Sequence, residues 1–323
     1  MQNLFPIRKK IVAKIMPKKQ MIFSLCLIVL LGFIYSREIA YAKNDRYRLN
    51  FRHGNNNDLQ SPVRIALGSG GLIYVTDFQK NCVAVIDLTA DETKIIKTIA
   101  VKGHPLGIAV DHEGWIYVGN STNNRVEVYV PKGNFGHRRP KFRLEGNIKR
   151  PNDIAIAPSG LIYVVASDEN LVKIYNPDGS FHSSFGGTGD GYGQFNFPTG
   201  IAIDEVNGEV IVSDFLNRRI QVFDYDGNWL RAIYGGGMLG SSAVDRPQGL
   251  AVDEQGRIYV VDSHQACIFI VDRYGAPLAT LGEYGQDKGQ LRIPLDIVID
   301  QDGNAIVTSN QNSRIEIFQG VAK

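Results

Sequence analysis

Two stretches of sequence decide the fold: Pro105-Leu-Gly-Ile-Ala-Val-Asp111 and Pro247-Gln-Gly-Leu-Ala-Val-Asp253. Each is followed by a glycine turn and then by a second apolar segment that contains Ile-Tyr-Val. The same succession begins six times along the chain, at Pro62, Pro105, Pro151, Pro198, Pro247 and Pro294. The intervals between these prolines are 43, 46, 47, 49 and 47 residues. Self-similarity at such a period indicates a repeat architecture.

Each repeat contains four segments that read as strands. In the second repeat we place them at 107–110, 115–119, 125–130 and 141–144. Asp178-Gly179 and Asp226-Gly227 occupy the last turn in later repeats, and Asp-Gly is a strong hairpin signal. The inner segments are apolar runs, which is typical of strands covered on both faces. Six four-stranded antiparallel units predict an all-β fold, a six-bladed β-propeller.

The two ends of the repeat array complement each other. The sixth repeat has three strand-like segments, at 297–299, 305–308 and 314–318, and then the sequence stops at Lys323. Near the other end, residues 46–51 resemble the fourth segment of the second repeat. We therefore expect this N-terminal strand to complete the last blade and close the ring, which protects sheet edges from aggregation.

The first 42 residues do not belong to the repeats. A basic region precedes a nearly continuous apolar run at 21–35, and Ala40-Tyr-Ala42 supplies small residues for cleavage. This pattern predicts a secretory signal peptide over 1–42, with a propeller domain over 43–323. The alternative is an uncleaved membrane anchor that faces outside, but the run is shorter than the roughly 17–25 residues that span a bilayer. Translation from Met16 would give a more compact signal.

Cleavage after Ala42 would change the charge balance. The segment holds seven of the 35 basic residues and one of the 33 acidic residues, which leaves 28 basic, 32 acidic and a net charge of −4. The sequence therefore argues against nucleic-acid binding. We expect a secreted or periplasmic monomer. Cys82 and Cys267 lie in repeats that a ring of six would not place side by side, so we expect two free thiols.

The repeat resembles a known family at its most regular positions. Pro-x-Gly-Ile-Ala-Val-Asp, followed by Ile-Tyr-Val and by Asn124-Arg-Val126, is similar to the NHL repeat, and the resemblance covers residues 46–320. Leu171 and Cys267 depart from the arginine position of the third strand. Gly68 and Ala157 depart from the aspartate position. The resemblance implies a propeller scaffold and does not name a ligand.

In propellers of this family the first strand of each blade lines the central channel. The resemblance therefore places the residues after each proline around one cavity at the channel mouth: Arg64, Asn152, Asp153, Thr199, Gln248 and Asp296. Asp153 and Asp296 belong to repeats three and six, which face each other in a ring of six. Their oxygens are candidate ligands for Ca²⁺. The alternative is that both aspartates cap backbone amides and that Arg64 pairs with Asp296.

A second set of candidates lies just before the prolines. His104, Arg150 and Arg246 are expected at the same mouth, where arginine forks would suit an anionic ligand. The turn aspartates Asp77, Asp214 and Asp262 recur in register. Their recurrence predicts a repeated structural hydrogen bond. The alternative for the three basic residues is that they pair with neighbouring aspartates at the rim.

The best-known enzyme built from this repeat is the peptidyl-hydroxyglycine lyase of peptide amidation, to which the chain has a distant resemblance. The resemblance implies zinc held by histidines directly after the prolines, and none of those positions is histidine here: Val63, Leu106, Asn152, Thr199, Gln248 and Leu295. We expect a scaffold that binds a protein, peptide or glycan. The alternative is a metal-dependent lyase or hydrolase with its active site at the channel.

Overall fold

The computed structural model describes residues 59–89, 94–130, 140–234 and 244–321. Apolar and β-branched residues dominate the segments after each proline, and these segments form the inner strands of antiparallel sheets. Five sheets have four strands and one has three among the described residues. The predicted six-bladed propeller of antiparallel blades is confirmed.

The strands follow the repeat closely. Blade one contains β1 (Pro62–Leu67), β2 (Leu72–Asp77), β3 (Cys82–Asp87) and β4 (Lys94–Ala100). Blade two contains β5 (Pro105–Val110), β6 (Ile116–Asn120), β7 (Arg125–Tyr129) and β8 (Phe142–Arg143). Blade three contains β9 (Pro151–Ile156), β10 (Ile162–Ala166), β11 (Leu171–Tyr175) and β12 (Phe181–Gly186).

The second half repeats the pattern. Blade four contains β13 (Pro198–Asp204), β14 (Glu209–Asp214), β15 (Arg219–Asp224) and β16 (Trp229–Tyr234). Blade five contains β17 (Pro247–Val252), β18 (Ile258–Asp262), β19 (Cys267–Val271) and β20 (Pro277–Leu281). A short parallel pair, β21 (Glu283–Tyr284) and β22 (Gln290–Leu291), leads to blade six, with β23 (Pro294–Ile299), β24 (Ala305–Ser309) and β25 (Arg314–Phe318).

Short turns complete the described part of the chain. Three 3-10 helices lie at Ser69–Gly71, Ser167–Glu169 and Asn310–Asn312. Among the residues that the structure describes, none of the helices has the length and apolar character required to cross a bilayer. A left-handed residue precedes the third strand of all six blades: Asn81, Asn124, Asn170, Arg218, Ala266 and Ser313.

Six apolar clusters hold the blades together, one between each pair of neighbours. Inner strands such as β14 are buried along their whole length, because blades cover both faces of the sheet. The sixth cluster joins blades six and one through Ile306, Ile73 and Ile65. The first strands also contact one another in order around the ring, and β23 contacts β1. The described residues therefore close a ring.

Two of the sequence expectations concern parts of the chain outside the described residues. The predicted N-terminal strand at 46–51 is one, and the signal segment at 1–42 is the other. Within the described part of the chain, β25 pairs with β24 on one side. The strand predicted to complete blade six therefore stays a prediction.

Candidate functional site

The prolines create an irregularity that positions the channel residues. In all six blades the pairing of the first strand with the second shifts register within three residues of the proline. Such bulges redirect a side chain and often lie beside binding sites. The residue two places after each proline is therefore aimed into the ring.

Arg64 is the central residue of this set. Arg64 belongs to blade one, and its almost completely buried side chain extends from there across the channel. Nε donates to the carbonyl of Asn152 at 3.1 Å, and Nη2 donates to the carbonyl of Thr199. Nη1 donates to the carbonyl of Leu295 at 3.1 Å and to Oδ1 of Asp296 at 3.2 Å. One guanidinium thus connects blades one, three, four and six.

Asp153 and Asp296 lie on either side of this guanidinium. Oδ2 of Asp153 is 3.7 Å from Nη1 of Arg64 and accepts the backbone N–H of Ile201 in the next blade. Oδ2 of Asp296 accepts the N–H of Ile65 in the same way. The two carboxylates therefore fasten blade three to four and blade six to one. The pairing of Arg64 with Asp296 that the sequence suggested is present.

Burial sets the protonation of this group of side chains. Burial raises the pKa of Asp296 to about 7, the charge of Asp153 acts in the same direction, and Arg64 opposes both. Burial also raises the pKa of Asp153, again against the effect of Arg64. Two carboxylates face one guanidinium, so full ionisation leaves one negative charge without a compensating cation in a largely buried site.

Three glycines allow the first strands of neighbouring blades to approach closely, and Gly249 also leaves room for the Asp296 carboxylate. A Cβ on Gly249 would lie 2.0 Å from Oδ1 of Asp296, and one on Gly107 would lie 3.0 Å from the backbone of Asp153. On Gly200 it would lie 2.1 Å from the carbonyl oxygen of Gln248. In blades two, four and five the residue two places after the proline is glycine. In blades one, three and six the same position is Arg64, Asp153 or Asp296.

The other predicted channel residues contribute less. Thr199 donates its hydroxyl to the carbonyl of Pro247 in the next blade, at 2.9 Å. The carboxamide of Gln248 reaches Ser263 of its own blade. The Asn152 side chain is buried and has no hydrogen-bond partner in the part of the chain that the structure describes. Of these three residues, Asn152 and Thr199 contact Arg64, through their backbone carbonyls.

The calcium prediction can be tested against this donor set. Ca²⁺ takes about 6–8 oxygen ligands. The two carboxylates already accept backbone N–H groups, and the guanidinium of Arg64 lies between them. A cation there would displace or repel Arg64, so the residues present do not fit Ca²⁺. Calorimetric titration with millimolar calcium checks this, and we expect no heat of binding.

The cavity of the channel lies on the far side of these residues. It has a volume of about 290 Å³ and is lined by the later halves of the first strands, with Asp153 and Asp296 at its inner end. The sequence prediction placed the cavity at the end where the prolines lie. The structure places it toward the opposite face, because Arg64 fills the channel at the proline end. We call this cavity the well.

The end of the ring that carries the residues before the prolines is the corner face. The predicted role of the turn aspartates is visible there. Asp77 accepts the N–H of Ser61 at 3.1 Å, and Asp262 accepts that of Arg246 at 3.0 Å. Asp214 accepts the N–H of Asn196 at 2.8 Å. Each carboxylate thus fixes the chain just before a proline.

Arg150 and Arg246 flank two phenylalanines on this face. The guanidinium of Arg150 lies 5.2 Å from the ring centre of Phe197, and that of Arg246 lies 5.1 Å from Phe215. The two rings are 6.2 Å apart. We call these four residues the arginine row. Neither arginine makes an ion pair or a side-chain hydrogen bond with any described residue.

His104 belongs to a separate pair on the same face. Its ring stacks on Phe78 of the preceding blade at 4.4 Å, with an angle of 15° between the planes. Nδ1 lies 3.2 Å from the carbonyl oxygen of Phe78. His104 therefore does not join the arginine row, although the sequence predicted one common mouth.

A buried arginine supports the loop that carries Phe197. Arg219 donates to Oδ2 of Asp214 at 2.8 Å and to the carbonyls of Gly191 and Gln194 at 2.7 and 2.9 Å. Its position is the arginine position of the repeat. Phe197 itself has a φ of 55°, which is uncommon for a bulky residue and indicates local strain.

The aromatic partners were not among the predicted site residues. Phe78 and Phe215 each come directly after a second strand, and Phe197 occupies the same place before its proline as Arg150 and Arg246. Aligning the repeats at these two positions would have shown them. The signal is weak because the other blades have serine or asparagine after the second strand.

The two cysteines that the structure describes offer no nucleophile. Cys82 and Cys267 are buried free thiols in blades one and five. Burial raises the pKa of Cys82 to about 11 and that of Cys267 to about 12. Both thiols therefore stay protonated at neutral pH, and the thiolate is the reactive form.

Comparison with known proteins agrees with the architecture. The family described as a 6-bladed beta-propeller matches residues 145–234, and the NHL repeat matches residues 245–271. The chain is a six-bladed β-propeller. Among curated proteins it is similar to protein brain tumor of Drosophila melanogaster, with 30% identity over 141 residues, 43% of this chain.

Other similarities of this propeller are more distant. B-box type zinc finger protein ncl-1 of Caenorhabditis elegans is 26% identical over 138 residues. The matched segments cover 13% of protein brain tumor and 16% of ncl-1. A solved streptogramin B lyase superimposes with a TM-score of 0.60 over 84% of this chain and 97% of the lyase, at 11% identity. That likeness shows the fold alone.

Proposed function

We propose that this NHL-repeat propeller is an exported binding scaffold whose corner face holds an acidic protein or peptide. The observation that carries the proposal is the arginine row. Arg150 and Arg246 present guanidinium groups that have no anionic partner among the described residues, while Phe197 and Phe215 lie between them.

The chemistry of the row favours carboxylates. A guanidinium offers a rigid fork of donors that matches a carboxylate in a bidentate arrangement. Stacking on a phenyl ring holds the fork in place, so less side-chain freedom is lost when a ligand binds. Arginine and aromatic residues are also enriched where protein interfaces gain most of their binding energy. The row therefore suits Glu or Asp side chains, or a chain terminus, beside an apolar group.

The geometry gives no comparable support to a metal-dependent enzyme. Within residues 59–89, 94–130, 140–234 and 244–321, no group of three or more His, Cys, Asp or Glu side chains is placed to hold a metal ion. The lyase likeness concerns the fold. Binding is therefore the function that the described site supports best.

Export rests on the sequence of residues 1–42. N-terminal sequencing of the protein recovered from the cell envelope or medium tests it. A mature chain that begins at Lys43 is the expected result. Retention of the full segment in the membrane fraction would instead support an anchored protein that faces outside.

The binding proposal is tested with a fluorescein-labelled glutamate-rich peptide and its glutamine counterpart. We expect the glutamate peptide to bind more tightly, with an affinity that falls as salt rises. Replacing both arginines, Arg150→Gln with Arg246→Gln, should weaken binding by about tenfold or more, since each lost charged hydrogen bond costs about 1.5–3 kcal/mol.

A matched control removes two positive charges elsewhere. Lys94 and Lys141 are exposed residues of blades one and two. The double variant Lys94→Gln with Lys141→Gln has the same net charge as the arginine variant and should bind the peptide like the unaltered protein. Equal losses in both variants would mean that net charge alone attracts the peptide, and the corner face would lose its assigned role.

A further inference from the structure

The well is a second concave feature, on the face opposite the arginine row. Its walls come from the first strands of several blades, and its lining includes Ile108, Ile201, Leu250 and Ile297. Small residues such as Ala251 keep it open. Its inner end is formed by Asp153 and Asp296. The well is therefore apolar along its walls and acidic at its floor.

The floor carries more negative than positive charge. Asp153 and Asp296 both contact Arg64, so two carboxylates share one guanidinium. Arg64 does not line the well, while the two carboxylates do. Arg64, Asp153 and Asp296 are the charged residues that form this contact, and the glycine at 249 brings the backbone of blade five against Asp296. A group that enters the well thus meets the surplus negative charge directly.

The segments near the mouth of the well carry negative charge, as the floor does. In four of the six blades, pairs of acidic residues lie at the end of the first strand or in the turn that follows it: Asp111 with Glu113, Asp204 with Glu205, Asp253 with Glu254, and Asp300 with Asp302. Asp204 and Asp253 are buried. The one arginine in these turns, Arg257, is paired with Asp253 at 2.6 Å. The charged residues that line the well itself are Asp153 and Asp296, and a cleft lined by one sign of charge concentrates ions of the opposite sign.

We propose that the well binds a small organic ammonium ion, with the charged nitrogen at Asp153 and Asp296 and a short apolar group along the walls. Charge complementarity selects a cation. The wall side chains favour an organic cation, since Ile, Leu and Ala offer apolar contact to a hydrocarbon group and no oxygen ligands to a metal ion. A volume of about 290 Å³ lies at the lower end of the range of ligand pockets and limits the ligand to a small molecule.

The raised pKa of Asp296 fits this occupant. The floor relieves its surplus charge either by taking up a proton or by accepting a cation. Because the pKa of Asp296 is about 7, binding of the ammonium ion should be stronger above neutral pH than below it. The site is separate from the corner face, so the proposal goes beyond the binding scaffold and does not depend on it.

The test is calorimetric titration of the whole chain with pentylammonium, using 1-pentanol and pentanoate as the neutral and anionic counterparts. We expect pentylammonium to bind about tenfold or more tightly than pentanol at about pH 8.5, because one charge pair is worth that much in a partly buried site. Pentanoate should not bind. Affinity for pentylammonium should fall at about pH 5.5, where Asp296 carries a proton.

Two variants locate the site. Asp296→Asn removes the surplus charge at nearly constant shape and should reduce the affinity for pentylammonium to that for pentanol. Ala251→Leu fills the well and should abolish binding of both, which keeps the test valid if Asp296→Asn fails to fold. The variant Arg150→Gln with Arg246→Gln alters the corner face and should bind pentylammonium normally.

Three results would overturn the proposal. One is equal affinity for pentylammonium and pentanol in the unaltered protein. Another is failure of every ammonium ion to bind at millimolar concentration. The third is displacement of pentylammonium by calcium at equal concentration, which would assign the floor to a metal ion.

Discussion

Nη1 of Arg64 lies 3.2 Å from Oδ1 of Asp296, although 232 positions of sequence separate the two residues. The contact joins the first blade to the sixth, where the ring closes. The same guanidinium reaches the carbonyls of Asn152 and Thr199. Closure of the ring therefore depends on one polar side chain as well as on the apolar cluster between the two blades.

Arg64→Met should destabilise the protein strongly. Removal of one partner from a buried ion pair costs about 3–5 kcal/mol, because the remaining charge is left uncompensated. Urea denaturation measures the loss. Arg143→Met is the control, since its side chain is half exposed and lies 3.9 Å from Glu127, a contact worth at most about 1 kcal/mol. Equal effects of the two substitutions would contradict the assigned role of Arg64.

The stability of the protein should depend on pH through Asp296. Its folded-state pKa of about 7 lies above the ordinary value of about 4, so the folded state holds a proton that the unfolded chain releases. This contribution is fully present below pH about 4 and is lost as the pH rises through about 7. The melting temperature of Asp296→Asn relative to the unaltered protein should therefore rise by several degrees from pH 5 to pH 8. A constant difference would mean that Asp296 is ionised throughout.

Gly249→Ala should disrupt the contact between blades five and six. Its Cβ would lie 2.0 Å from Oδ1 and 2.6 Å from Cα of Asp296, and the backbone cannot yield without moving the blade. Overpacking of this kind costs about 1–3 kcal/mol. In the control Gly191→Ala the nearest atom is Oε1 of Gln194 at 2.8 Å, the end of a flexible side chain. Thermal melts that fall equally for both variants would count against this account.

Arg219→Ala should loosen the link at 187–197. The side chain binds Asp214 and the carbonyls of Gly191 and Gln194, so its loss should speed limited proteolysis within this link. Arg125 occupies the same position in blade two and pairs with Glu127 at 2.9 Å. Arg125→Ala should leave cleavage of the link unchanged. Faster cleavage in both variants would indicate a general loss of stability.

Deletion of residues 43–55 tests the strand that the sequence places in blade six. Without it, β25 would be an exposed edge beside the apolar cluster, and we expect the melting temperature to fall by many degrees. Deletion of residues 1–42 is the control and should leave the melting temperature unchanged. An unaltered melt after deletion of residues 43–55 would mean that another segment completes the blade.

Much of the fold could be predicted from the repeat. The strands of blade two begin and end within two residues of the predicted positions, as β5 and β7 show, because proline, glycine and apolar runs mark them locally. The channel position two places after each proline was also predicted. These features depend on residues that are close together in the sequence, so they can be predicted without knowledge of the fold.

The site was harder to predict because it depends on contacts between residues of blades that are far apart in the sequence. Equivalent positions point at the axis, yet Arg64 is long enough to cross it and to fill the channel at the corner face. The location of the well follows from that one side chain. The arginine row likewise depends on Phe197 and Phe215, which come together from different loops of blade four.

The seal that Arg64 forms has a kinetic consequence. A ring of blades with an open axis would let water and small solutes pass through the molecule. Here the buried side chain of Arg64 blocks passage along the axis. Whatever enters the well must leave by the same entrance, and its residence time cannot be changed by a blocking partner on the corner face. The two proposed docking surfaces therefore lie on opposite faces of the ring and are separated by Arg64.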